Sequence, residues 1–113
     1  MFGTLILIGA LAIDGDTLRT DDYRIRLWGI DAPEMSEVQG PRSKAMLQRI
    51  VDQSGRLVCH VVDEDRYGRS VARCYDEDLI DIGCLMVSLG EAEEWYYYSR
   101  GYYRNCEGEG DDQ

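Results

Sequence analysis

Apolar and polar positions alternate along the first half of the chain with the period of a β-strand. Residues 4–13 read as one strand, with Thr4, Ile6 and Ile8 on one face and Leu5, Leu7 and Gly9 on the other. Asp14-Gly15 is a turn signal, and residues 16–20 read as the returning strand. Residues 24–29 alternate again, until Pro33 stops the pattern. The period then changes. Ala45, Met46, Leu47, Ile50 and Val51 recur at helical spacing. Gly40-Pro41 opens this helix, with proline where its missing N–H is harmless, and Gly55 ends it. Residues 57–63 and 69–75 are β-branched and apolar enough for two more strands, joined by residues 65–68, with Gly68 free to adopt positive φ. Asp81 caps a short helix through Leu89, and Gly90 closes it. A last helical turn or two is expected within residues 99–107. Five short strands with a helix after the third predict a mainly β, α+β fold: a five-stranded Greek-key OB-type barrel with two to three helices.

At 113 residues the chain is one small domain, with hydrophobic and charged fractions (44% and 30%) ordinary for a globular fold. The domain is expected to span 1–106. Residues 107–113 alternate glycine and acid with no apolar residue and read as a disordered, solvated tail. The net charge of -10 argues against a broad basic face for nucleic acid, although a bound divalent cation would offset it locally. No stretch approaches the roughly 20 apolar residues that span a bilayer, so no membrane is expected. No obligate protein partner is evident. The N-terminal apolar run lacks a basic leader and flows into Asp14, which fits a first strand better than an export signal. Four cysteines allow three pairings. Cys59 and Cys74 lie nearly symmetrically about Tyr67 and would face each other across a hairpin; buried free thiols are the alternative, and Cys84 and Cys106 stay open. No two cysteines have zinc-ligand spacing, and His60 reads as an ordinary strand residue.

Three polar segments interrupt the apolar pattern: Asp14-Gly15-Asp16-Thr17, the run from Arg26 through Asp31-Ala32-Pro33-Glu34, and Asp65-Arg66-Tyr67-Gly68-Arg69. They supply carboxylates for a cation and guanidinium groups for an anion. Asp16 and Asp31 are hard oxygen donors of the kind Ca²⁺ takes, and the Ala32 carbonyl with water would extend the shell. Asp14 reads equally well as a turn former. Arg26 and Arg69 match a phosphate with paired hydrogen bonds, and fixed donors aimed at a phosphodiester under attack lower its barrier. Glu34 is the candidate general base for water. Trp95-Tyr96-Tyr97-Tyr98 with Tyr67 offers stacking surfaces for bases, although Trp95 and at least one tyrosine are expected in the core.

These motifs, in this order and spacing, resemble the staphylococcal nuclease (thermonuclease) family over nearly the whole chain to about residue 107. The resemblance implies a calcium-dependent nuclease that hydrolyses DNA, RNA or both on an OB-type barrel. It places calcium on Asp16, Asp31 and the Ala32 carbonyl, with Asp14 nearby, and makes Glu34 the base. It puts Arg26 and Arg69 on the scissile phosphate, and Arg66, Tyr67, Tyr96 and Tyr98 on the substrate. It also implies 3′-phosphate products. The chain departs from the family in a shorter segment between Glu34 and Gly40, without a lysine-rich loop, in a curtailed last helix, and in Ala32 for threonine, where only a backbone oxygen is needed. Relatives are often exported, so a secreted or periplasmic location is favoured. The competing reading is a non-catalytic nucleic-acid-binding or accessory module on the same fold.

Overall fold

Gly9 divides the first strand. In the computed structural model, which describes residues 2–106, it sits at φ +68° between β1 (Thr4–Ile8) and β2 (Leu11–Asp14). Glycine reaches that conformation without the clash a Cβ would create. The expected strand over 4–13 is therefore two strands at opposite ends of one curled sheet. They are followed by β3 (Thr17–Arg19), β4 (Arg24–Leu27), the two-residue β5 (Ile30–Asp31), helix α1 (Gly40–Ser54), β6 (Arg56–Glu64), β7 (Ser70–Tyr75), helix α2 (Ile82–Ser88), β8 (Glu93–Glu94), helix α3 (Tyr96–Ser99) and a 3₁₀ turn over Arg104–Cys106.

The main sheet runs β1-β6-β7-β4-β3-β2, so the bent first segment supplies both ends. With β1 and β2 counted as halves of one strand, this is the five-stranded OB-type arrangement. Every pairing is antiparallel except β4 with β7. A second ladder, β5 with β8, is absent from the sequence expectation. Between β1 and β2, where the backbone leaves the ladder, Gln48 of α1 stands in. Its side chain accepts from the Ala12 amide at 2.8 Å and donates to the Ala10 carbonyl at 3.2 Å.

The alternation read from the sequence corresponds to burial. On β1, Leu7 is buried while Ile6 and Ile8 face outward; on β4, Ile25 and Leu27 are buried while Arg24 is exposed. Leu47 and Ile50 of α1 meet Leu57, Ile82 and Met86 in the same core. Asp81 caps α2 by accepting from the Gly83 and Cys84 amides, and its other oxygen accepts from the buried Tyr103 hydroxyl at 2.8 Å. Burial, opposed by those hydrogen bonds, still raises the Asp81 carboxyl. Burial, with Asp81 alongside, raises the Tyr103 phenol strongly.

The helical turn expected over 99–107 is instead two short pieces. Arg100 (φ +53°) and Gly101 (φ +91°) break the helix and turn the chain back, which brings Tyr103 and Cys106 into the core. Disulfides join Cys59 to Cys74 and Cys84 to Cys106. The first bridges directly opposed residues of β6 and β7; the second fixes the 3₁₀ turn over Arg104–Cys106 to α2. Loops of this size correspond to about 3 kcal/mol of stabilisation each. His60 is exposed and hydrogen-bonds the Thr4 hydroxyl. No helix among the described residues is long and apolar enough to cross a membrane. The tail expected over 107–113 lies outside the described residues.

Candidate active site

The turn after β2 is built around the absence of a side chain. A Cβ on Gly15 would lie 1.9 Å from Ser43 Oγ and 2.7 Å from the Ala32 Cβ. The turn is thus pressed between α1 and the end of β5, and Asp14 Oδ1 closes it by accepting from the Asp16 amide at 3.0 Å. This seats Asp16 inside. One of its oxygens accepts from the Ala32 amide at 2.8 Å, the other from the Thr17 hydroxyl at 3.1 Å. Burial pushes its carboxyl up to about 6, with Asp14 adding to the rise, while Arg26 and the Ala32 amide oppose it.

Arg26 lies on β4 opposite Thr17. Its Nη1 donates to the Leu27 carbonyl (2.6 Å) and the Ile30 carbonyl (2.8 Å), which fixes the guanidinium plane. Its Nη2 stands 3.5 Å from Asp16 Oδ2 and 3.8 Å from Asp31 Oδ1. One largely buried cation therefore lies between a buried carboxylate and an exposed one. The guanidinium also packs over the Trp95 ring, 5.5 Å from its centroid.

The loop between β6 and β7 is organised by Asp65. Its Oδ1 accepts from the Tyr67 and Arg69 amides and its Oδ2 from Arg69 Nε at 2.7 Å. Burial works against ionisation here, but those bonds and the Arg69 charge prevail and hold the carboxyl below its ordinary range. Gly68, at φ +80°, completes the turn. Asp65 thereby aims Arg69, and both Arg66 and Arg69 lie over the Tyr67 ring, 5.2 and 5.5 Å from its centroid.

Arg26, Arg66, Tyr67, Arg69, Trp95 and Tyr98 line one cleft of about 480 Å³. Asp31 and Ala32 line a second cavity of about 430 Å³, with Glu37, Arg42, Glu91 and Glu93. Arg26 joins the two: it faces the cleft and touches both Asp16 and Asp31. Of the residues named from the sequence, Asp14, Asp16, Glu34 and Tyr96 border neither cavity, and Asp16 is joined to the site through Arg26. Glu34 is exposed and borders neither cavity. Its turn is closed by the Glu37 amide donating to the Glu34 carbonyl and the Glu34 amide donating to the Glu37 carboxylate. Gly40 is required there, because a Cβ would meet the Glu34 carbonyl at 2.2 Å. Tyr96 is 56% exposed and is not on the cleft wall. Residues three apart share a helix face, so α3 and its N-cap present Trp95 and Tyr98 together. Trp95 is accordingly a wall residue, 40% exposed, where a core position was expected; the buried aromatic is Tyr103. The i, i+3 spacing was the signal that distinguishes this pair.

Among the described residues, no group of three or more acidic, histidine or cysteine side chains gathers as a complete metal cage. Asp16 and Asp31 nevertheless both reach one guanidinium nitrogen, which brings two hard carboxylates to a common point beside Ala32. Two carboxylates and a nearby backbone carbonyl are the all-oxygen donor types that a hard divalent cation takes.

Among known proteins, the chain is 41% identical over 76 residues to a probable staphylococcal-like nuclease of Oryza sativa subsp. japonica, covering 62% of this chain and 23% of that protein. It is 32% identical over 102 residues to a micrococcal nuclease of Shigella flexneri, covering 78% and 57%. It is 29% identical over 108 residues to a succinoglycan biosynthesis protein of Rhizobium meliloti (strain 1021), covering 87% and 56%. The chain thus spans between about a quarter and just over half of the length of these relatives. Residues 24–108, from β4 onward, match the staphylococcal nuclease homologue family, and the chain belongs to that family.

Proposed function

We propose that the chain is a divalent-cation-dependent nuclease, with calcium as the ion, that hydrolyses phosphodiester bonds of DNA, RNA or both. One juxtaposition carries the reading: the Arg26 guanidinium touches both Asp16 and Asp31 while facing a cleft that also holds Arg69. Family membership and the named nucleases among the relatives support it. Asp16, Asp31 and the Ala32 carbonyl would hold the ion, with Asp14 bracing the turn beneath Asp16. When bound, the ion supplies charge that polarises the phosphoryl group.

Arg26 and Arg69 donate to the non-bridging oxygens, where charge builds as phosphorus is attacked. Both arginines are held in place beforehand, Arg26 by two carbonyls and Arg69 by Asp65, so little reorganisation accompanies the step. Glu34, three residues beyond Asp31 on an exposed turn, takes the proton from the attacking water. Arg66, Tyr67, Trp95 and Tyr98 seat the flanking sugars and bases. Tyr96 is outside this set.

Digestion of single-stranded DNA with calcium, with and without chelator, tests the reading. Cleavage in calcium and none in chelator is expected. Glu34→Gln should leave calcium binding near the wild-type value and lower turnover at least ~10²-fold; unchanged turnover removes Glu34 from the chemistry. The position of Glu34 outside the cleft favours a second reading, a nucleic-acid-binding or accessory module without catalysis. Binding of the DNA with no turnover at any calcium concentration would establish that one.

A further inference from the structure

We infer that Arg24 and Arg19 form a second anion-binding position, a track that grips the phosphodiester chain where it leaves the cleft. The ligand class rests on the nuclease reading; the track itself rests on charge and register. Arg19 and Arg24 are directly opposed across β3 and β4, as Thr17 and Arg26 are. Because Ile25 and Leu27 point into the core, Arg24 and Arg26 share the outer face, about 6.6 Å apart along the strand. The Arg24 Nη2 donates to the Tyr67 carbonyl and stands beside Gly68, so the guanidinium lies at the cleft rim. On the same loop, Arg66 donates to the Tyr67 hydroxyl at 3.1 Å. The cations Arg19, Arg24, Arg66, Arg69 and Arg26 thus lead from the exposed end of β3, past the Tyr67 loop, to the candidate site.

Among the described residues, Arg26, Arg42, Arg56 and Arg69 have a carboxylate within 4.0 Å; Arg19, Arg24 and Arg66 do not, and neither do Lys44, Arg49, Arg73, Arg100 and Arg104. Like charges directly opposed across a ladder repel; Asp21 and Asp22 of the connecting turn lie close in sequence but stay beyond 4.0 Å of both guanidinium groups, so an anion over the Arg19–Arg24 pair would relieve that repulsion. Asp63 and Glu64 line the cleft nearby without closing on these arginines. The other side of the site carries Glu37, Glu91 and Glu93 against one cation, Arg42. A polyanion is therefore drawn out over Arg24 and Arg19 and repelled on the opposite flank.

The test is binding of fluorescein-labelled oligothymidylates of two to eight nucleotides, by anisotropy with calcium omitted, alongside cleavage with calcium. Affinity should rise with length. Arg19→Gln and Arg24→Gln should each flatten the slope of log affinity against log salt by about 0.7 on the octamer. Each should raise the octamer KM about tenfold and the dimer KM less than twofold, and Arg24→Lys should restore the slope. Equal losses on dimer and octamer would mean that Arg24 only holds the Tyr67 loop. An unchanged slope in both Gln variants would overturn the track. Wild-type protein that binds with this salt dependence but does not cut overturns the nuclease reading and leaves the track standing. Cleavage unaffected by either Gln variant does the reverse.

Discussion

The two sides of the candidate site are built in opposite ways. Asp16 and Arg26 are held inside the sheet: Asp16 by the Ala32 amide and the Thr17 hydroxyl, Arg26 by two backbone carbonyls. Glu34, Tyr96, Arg66 and Arg69 stand on turns and a short helix. The interior side concentrates charge where water is scarce, so its members depend on one another. The rim touches solvent, so its members can be changed singly. A site of this kind keeps charge placement rigid and leaves substrate contacts adjustable.

The sharpest way to break the contrast is Arg69→Ala. If the rim acts on substrate and not on the fold, cleavage should fall roughly 10²–10³-fold. Unfolding free energy should change by no more than about 1 kcal/mol, since its partner Asp65 is partly exposed. A larger loss in urea unfolding would place Arg69 with the structural side.

Asp16 tests the interior side through pH. Its folded carboxyl, at about 6, lies above the unfolded value near 3.9. The proton bound by the folded state therefore stabilises fully below pH ~4, and that contribution disappears as pH rises through about 6. Asp16→Asn should gain up to ~3 kcal/mol over the wild type at pH 7.5 in chelator, and nothing at pH 3.5. The gain should shrink when calcium is added, because the ion stabilises only the ionised wild type. A gap independent of pH would contradict a carboxyl raised by burial.

Gly15→Ala should destabilise the fold by about 1–3 kcal/mol, because the new methyl displaces Ser43 and Ala32. The same change at Gly90, where nothing lies within 4 Å, introduces only backbone strain at φ +75°. The smallest expected effect separates two neighbouring aromatics. Trp95→Ala should weaken oligonucleotide binding by about 1–2 kcal/mol, and Tyr96→Ala by little. Equal losses would return Tyr96 to the binding surface.

The strand and helix pattern was legible because burial on one face imposes a two- or 3.6-residue period on the residues themselves. Ile25 and Leu27 declare one face of β4, Leu47 and Ile50 one face of α1. The β5–β8 ladder was not legible, since two-residue strands are too short to show a period. The break at Gly9 was hidden for a related reason: Ile8, Leu11 and Ile13 continue the apolar character straight across it. Cys59 and Cys74 could be paired in advance because one hairpin fixes their register. Cys84 with Cys106 depends on how α2 meets the end of the chain, which no local rule supplies.

Sequence alone determined the chemical inventory of the site and the elements carrying it, because residue type and spacing are properties of the chain. The tertiary structure decided which members meet. It put Arg26 between Asp16 and Asp31, exchanged Tyr96 for Trp95 on the cleft wall, and left Glu34 outside it. Those outcomes follow from side-chain direction and from contacts between segments far apart in the chain. Both are set by packing around one core, beyond the reach of any local pattern.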